Sequence, residues 1–139
     1  MKIYFAGSIR GGRKHQAIYQ QLIAYLSKYG KVLSEHIGSK NLTQFGEKSF
    51  SDKRIYNRDM SWLKVSDVVI AEVSTPSLGV GYEIAKAENM NKKILCLYRK
   101  QPRKRLSAMI NGNPNVKIAE YKTFKDALRY IDIFFKELK

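Results

Sequence analysis

The chain is predicted to fold as a single α/β domain spanning residues 1–139, a doubly wound five-stranded parallel sheet of the Rossmann or flavodoxin-like kind with helices on both faces. Three observations predict it. Short apolar runs alternate with amphipathic stretches along the whole chain. Glycine-rich turns follow two of the apolar runs directly, at 7–13 and 77–83. No repeat, low-complexity stretch or linker divides the 139 residues, a length that buries one core but not two independent ones.

The first strand is expected at 2–6, where Ile3, Tyr4, Phe5 and Ala6 run without a break. A helix is expected over 14–29, because Ile18, Leu22, Tyr25, Leu26 and Tyr29 recur at three- and four-residue spacing as one stripe, and Gly30 supplies a stop. The second strand follows at 31–34. Residues 38–52, rich in Gly, Ser, Asn and Lys, are expected to be a mobile loop flanking the site. A helix at 53–65 leads into the third strand at 67–73, and a helix at 81–90 into the fourth at 93–98. A helix at 103–110, a strand at 116–120 and a helix at 123–138 complete the pattern; in the last, Leu128, Ile131 and Phe135 form the buried stripe. Right-handed crossovers then join the parallel strands.

Lysine and arginine number 26 against 12 acidic residues, a net charge of +14. A surface of that sign favours anions without choosing among nucleotides, nucleic acids and acidic lipids. The densest cluster, 99–105, reads as a nucleic-acid patch, a nuclear-import signal or a solvated loop; no aromatics are interleaved for base stacking, and a nucleic-acid partner is not expected. No apolar run approaches the length of a membrane span, so no membrane partner is expected. The chain enters a strand pattern at once and has one cysteine, Cys96, within an apolar run. An intracellular, disulfide-free protein is expected, cytoplasmic with the nucleus as a second compartment, and Cys96 is expected in the core. His15 and His36 form no ligand set with Cys, Asp or Glu, so no metal and no cofactor are expected. His36, just after the second strand, is expected to line the pocket or to be a hydrogen-bonded structural residue.

Two turns carry candidate chemistry. In Gly7-Ser8-Ile9-Arg10-Gly11-Gly12-Arg13, a hydroxyl, two guanidinium groups and backbone N–H groups converge before a helix. Such a turn suits a single phosphate; it matches neither the ATP nor the dinucleotide fingerprint. In Ser77-Leu78-Gly79-Val80-Gly81-Tyr82-Glu83, the glycines let a substrate approach the backbone at the carboxyl edge of the sheet, and Glu83 is the first candidate for catalysis. The same position also suits an acid that merely complements a helix dipole. Asp59 sits near the edge of its helix and can face solvent or a cleft. Two carboxylates in one cleft could divide glycosidic cleavage between attack at the anomeric carbon and proton transfer.

The segments 4–13, 32–36, Asp59 with Trp62-Leu63, 67–73, 76–83 and 106–110 together resemble the 2′-deoxynucleoside 5′-phosphate N-hydrolases of the nucleoside 2-deoxyribosyltransferase-like superfamily. The resemblance covers about nine-tenths of the chain in order. It implies a homodimer that cleaves the N-glycosidic bond of a deoxynucleoside 5′-monophosphate to free base and 2-deoxyribose 5-phosphate, through a covalent glycosyl intermediate on Glu83. It implies Asp59 as the second acid and Tyr4 as the residue that orients the nucleophile. Ser8, Arg10, Gly12, Ser77 and Gly79 are implied at the phosphate, and Ser107 in the partner subunit's site. Gly7, Ile9, His36 and Met109 complete the expected substrate-binding set, with Ile9 and Tyr4 bulky enough to disfavour a 2′-hydroxyl. The alternatives are a deoxyribosyltransferase that passes the sugar to a second base, and a ribonucleoside monophosphate hydrolase. The basic charge and the lysine-rich 122–139 depart from the family pattern, and 38–52 matches it poorly, leaving base preference open.

Overall fold

The computed structural model describes residues 1–9, 16–39, 47 and 49–139. Five strands, β1 (Lys2–Ala6), β2 (Lys31–Val32), β3 (Val68–Glu72), β4 (Lys93–Arg99) and β5 (Lys117–Tyr121), form one sheet in the order β2-β1-β3-β4-β5. Every pairing is parallel. The chain leaves β1 toward β2 on one side and resumes at β3 on the other, so the carboxyl ends of β1 and β3 flank the topological switch point where open α/β sheets bind ligands. The expected fold class is the observed one.

Strand alternation sorts the core into two layers. Ile3, Phe5, Ile70, Leu95 and Leu97 face α1 (Gln16–Leu26) and α5 (Phe124–Glu137), meeting Tyr19, Leu22, Leu26, Ile131 and Phe135. Tyr4, Ala6, Val69, Ala71 and Cys96 face the other way, toward α2 (Asp52–Val65) and α3 (Leu78–Asn89), meeting Leu63, Val80, Ile84 and Ala87. Each large aliphatic or aromatic side chain buried this way contributes about 1.5–3 kcal/mol, which holds both helical layers to the sheet. Cys96 lies in the core as expected, its thiol pushed up to about 12 by burial and hence unreactive.

Four elements differ from the sequence reading. The helical stripe ends at Leu26, and 27–30 turn back so tightly that a Cβ on Gly30 would lie 2.2 Å from the Met1 carbonyl oxygen; the glycine is required by that close approach. β2 is only two residues long; Leu33 and Ser34 form a turn, and a 3₁₀ helix, Glu35–Gly38, follows. Next, α3 begins at Leu78 rather than Gly81, because the Ser77 side chain caps it by accepting the Val80 N–H at 3.3 Å. Finally, the helix expected at 103–110 shrinks to α4 (Ala108–Asn111): Pro102 and three consecutive cations precede it, and Arg103 adopts a left-handed φ of 60°. Of the loop expected at 38–52, residues 40–46 and 48 lie outside the described residues, as do Arg10 and Gly12.

The carboxyl edge next to the switch point is fastened from the far face of the sheet. Glu72, the last residue of β3, is fully buried and accepts hydrogen bonds from the hydroxyls of Ser74 and Tyr121, the latter at 3.0 Å. Ser74 Oγ in turn accepts the Arg99 N–H at 2.7 Å. The carboxylate thus ties the ends of β3, β4 and β5 together ahead of the turn that starts α3. Burial raises its pKa above the ordinary carboxylate range, and the Ser74 and Tyr121 hydroxyls offset part of that.

Candidate active site

Tyr4 and Glu83 meet at the switch point. Tyr4 lies fully buried on β1, pointing into the α2–α3 layer, and its hydroxyl donates to Glu83 Oε1 at 2.7 Å. Because α3 starts at Leu78, Glu83 sits in its second turn, one turn before Ala87 on the same buried face. Glu83 Oε2 carries no hydrogen bond from the described residues, which leaves one oxygen held and one available to react. Burial pushes the Glu83 carboxyl up to about 7; the hydrogen bond from Tyr4 lowers it, and the nearby charge of Asp59 raises it further. The Tyr4 hydroxyl is displaced far above the ordinary phenol range by burial first and then by the Glu83 and Asp59 charges, so it stays a neutral donor.

Asp59 is brought to the same place from α2, close enough to act electrostatically on both Tyr4 and Glu83. Its Oδ1 accepts Arg58 Nε at 2.9 Å. Burial raises the Asp59 pKa, and the Arg58 guanidinium opposes the rise. Arg58 itself is a hub. Its Nη1 and Nη2 bind Glu47 in a two-pronged pair at 2.7 Å each, Nη2 lies 3.2 Å from His36 Nε2, and its guanidinium carbon stands 4.7 Å from the centre of the Trp62 ring. The His36 and Trp62 rings are 5.6 Å apart. Sequence reading missed Arg58, Glu47 and Trp62 as site residues, although Arg58 precedes Asp59 directly and Trp62 lies one helical turn further on; Glu47 gave no signal, since only folding brings it to α2.

The other expected site residues fall into three groups. Ser8 follows β1, is fully buried, and its Oγ has no partner among the described residues, while its N–H donates to the Tyr19 hydroxyl at 3.2 Å. Around Ser77 and Gly79 there is open space: the nearest atom to a Cβ on Gly79 is Ser77 Oγ at 3.9 Å, and one on Gly81 would meet nothing. Gly7 instead faces protein, its Cβ position lying 3.0–3.2 Å from Ile37, Tyr19 and Phe5, and Ile9 is half-buried against the same core layer. Ser107 and Met109 are exposed at α4, Met109 by 82%, and no side-chain cap is formed by Ser107. A separate cleft of about 240 Å³ opens at the opposite, amino-terminal edge of β4 and β5, between Lys93, Asn115, Lys117 and Glu137. It holds none of these residues. Among the described residues no group of three His, Cys, Asp or Glu could hold a metal ion, and no helix is long and apolar enough to cross a membrane.

This arrangement can do nucleophilic chemistry with acid–base assistance: one buried carboxylate oriented by a phenol, a second carboxylate on a guanidinium, and open space at the start of α3 beside Ser77 and Gly79. A pH prediction follows from its charges. If ionised Glu83 is the reactive form, kcat/KM should fall below a limb near pH 7, tenfold per pH unit. Tyr4→Phe removes the hydrogen bond that favours ionisation, so the limb should move upward and activity at pH 7 should drop about tenfold or more. A pH–rate profile with an unmoved limb in Tyr4→Phe would show that the phenol does not serve the nucleophile.

The family model for nucleoside 2-deoxyribosyltransferase matches residues 3–121. The 5-hydroxymethyl-dUMP N-hydrolase of Esox lucius is 50% identical over 128 residues, covering 91% of this chain and 88% of its own. The protein of the same name from Danio rerio is 51% identical over 125 residues, covering 88% and 87%. Among solved structures, the CMP N-glycosidase BcmB of Clostridium botulinum superposes with a TM-score of 0.70 at 22% identity, over 96% of this chain and 99% of that one, a likeness of fold.

Proposed function

Because this chain belongs to the nucleoside 2-deoxyribosyltransferase family, we propose that it hydrolyses the N-glycosidic bond of 2′-deoxynucleoside 5′-monophosphates, 5-hydroxymethyl-dUMP among them, giving free base and 2-deoxyribose 5-phosphate. The single observation that carries the reading is the Tyr4–Glu83 hydrogen bond of 2.7 Å at the switch point, beside Asp59. Beside it stand relatives half identical to this chain that are named for N-hydrolysis of a deoxynucleoside monophosphate.

In the proposed mechanism Glu83 Oε2 attacks C1′ while Tyr4 holds Oε1. The C1′–N bond breaks, its electron pair goes to the base nitrogen, and Asp59, which enters this step in the protonated form that its burial favours, supplies the proton to the departing base. The transition state has oxocarbenium character, and the product is a deoxyribosyl ester of Glu83. Water then attacks C1′ and gives its proton to the Asp59 carboxylate, and the C1′–O bond to Glu83 breaks, which restores both acids. Burial serves the first step, because a carboxylate stripped of water is a stronger nucleophile once ionised. Incubation with a panel of deoxy- and ribonucleoside monophosphates and nucleosides, with and without an acceptor base, tests the reading by chromatography of products. Free base with 2-deoxyribose 5-phosphate is expected. Base exchange, or equal turnover of ribonucleotides, would favour the transferase or the ribonucleotide hydrolase.

The working unit in this proposal is a homodimer in which Ser107 reaches the neighbour's phosphate. Support comes from exposure: Ser107, Met109, Leu78 at 97% and Tyr82 at 45% leave polar and apolar groups uncovered near the start of α3 and at α4. Mixing two inactive variants, Glu83→Ala and Ser107→Arg, under subunit exchange should restore about half the activity per heterodimer, since one site then holds both native residues. A mixture that exchanges subunits and stays inactive assigns Ser107 to its own chain's site or to none.

A further inference from the structure

The Arg58 hub has no part in the steps above, yet it is the most heavily engaged cation among the described side chains of the site. Its Nε donates to Asp59 Oδ1 at 2.9 Å, Nη2 lies 2.8 Å from the same oxygen, and Oδ2 takes no hydrogen bond from the described residues. On its far side Glu47 takes both Nη atoms, and the guanidinium carbon stands over the Trp62 ring. Only a planar, five-donor group satisfies two carboxylates and a ring at once; a lysine ammonium is a point charge on a flexible stem. With four-fifths of its side-chain surface buried, this guanidinium is fixed in place rather than sampling solvent.

We infer that Arg58 is the positioning residue for Asp59: braced by Glu47 and Trp62, it pins Asp59 Oδ1 and leaves Oδ2 as the oxygen available for proton transfer. The inference rests on the proposed role of Asp59 as the acid and base of the reaction. Arg58 thereby also opposes the rise that burial imposes on the Asp59 pKa. The groups facing that carboxylate are Arg58 on its own helix, Glu47 from the segment before α2, His36 from the 3₁₀ helix through Arg58, Tyr4 from β1 and Glu83 from α3. Without Arg58, burial and the Glu47 charge both favour the protonated acid, and Asp59 should titrate at higher pH.

Two measurements on the full chain test it. In a double-mutant cycle, Arg58→Met should lower kcat on a deoxynucleoside monophosphate about ten- to a hundredfold with KM changed less than about threefold, and Arg58→Lys should not restore it. Arg58→Met combined with Asp59→Asn should be no slower than Asp59→Asn alone, within about threefold, because Arg58 has nothing left to position. Losses that multiply would overturn the inference and assign Arg58 to direct substrate contact or to folding. Independently of turnover, the ¹³Cγ signal of Asp59 in the substrate-free protein should titrate at higher pH in Arg58→Met than in wild type; an unmoved titration overturns the contact itself. A wild-type protein that cleaves no nucleotide would overturn the proposed reaction and the catalytic use of the pair. The titration separates that failure from a failure of the Arg58–Asp59 contact.

Discussion

Glu83→Gln is expected to lower kcat by at least about a thousandfold, roughly 4 kcal/mol of barrier, while leaving the protein folded and able to bind nucleotide. The substitution keeps the size of the side chain and its capacity to accept the 2.7 Å hydrogen bond from Tyr4, so the pocket keeps its shape. What it removes is the carboxylate oxygen that forms the bond to C1′. An amide is a poor nucleophile, and nothing else among the described residues stands in its place: Asp59 is tied to Arg58, and Cys96 lies in the core with its thiol pushed up to about 12. Retention of more than about a tenth of the wild-type rate would displace Glu83 from the nucleophile's role.

Linkage supplies the control for folding. A carboxyl whose folded pKa is raised from 4.5 to about 7 favours the folded state most below pH 4.5, where it is protonated in both states. That contribution is lost as pH rises through about 7, because the folded chain must then hold a buried charge. Glutamine carries no such charge, so Glu83→Gln should melt no lower than wild type at pH 8 and show less loss of stability between pH 5 and 8. An inactive variant that is also less stable at pH 8 would point to a structural defect instead. Stability and reactivity are opposed here: the desolvation that costs stability above neutral pH is what makes the ionised carboxylate reactive.

The sheet was legible because its signal is repetitive. Each strand alternates its side chains into two cores, and Tyr4 beside Phe5 already separates the layer that holds the site from the layer that does not. Glu83, Tyr4 and Asp59 were legible through the family resemblance and through Glu83's place after β3; their meeting was not, since Tyr4 and Glu83 are 79 residues apart in sequence. Three features escaped for physical reasons. Glycine's weak helix propensity hid the true start of α3, which Ser77 fixes by capping. Helical spacing in 103–110 was genuine, but charge repulsion and the left-handed Arg103 confine the helix to one turn. Arg58 looked like any surface cation, because only Glu47 and Trp62, brought together by folding, show what it is held against.

Removal of the 5′-phosphate is expected to lower kcat/KM by at least about a hundredfold, so that a deoxynucleoside reacts poorly where its monophosphate reacts well. The polar groups that follow β1 and β3 at the carboxyl edge of the sheet have little else to bind. Ser8 Oγ is fully buried without a partner among the described residues, a state that costs about 1–3 kcal/mol unless a ligand relieves it. At the start of α3 the Leu78 and Gly79 N–H groups precede the first intrahelical bond, from Gly81 to the Ser77 carbonyl, and the space beside Gly79 is open. A dianion there completes two or three charge-assisted hydrogen bonds at the positive end of a helix, about 1.5–3 kcal/mol each. A hundredfold preference needs only about 2.7 kcal/mol of that to survive in the transition state. Two variants separate the contributions: Ser8→Ala should lower kcat/KM for the monophosphate and leave the deoxynucleoside nearly unchanged, and Gly79→Val should do the same by filling the open space with a side chain. Comparable kcat/KM for a deoxynucleoside and its monophosphate in the wild type would refute the phosphate site and favour transfer of the sugar between bases over hydrolysis of nucleotides.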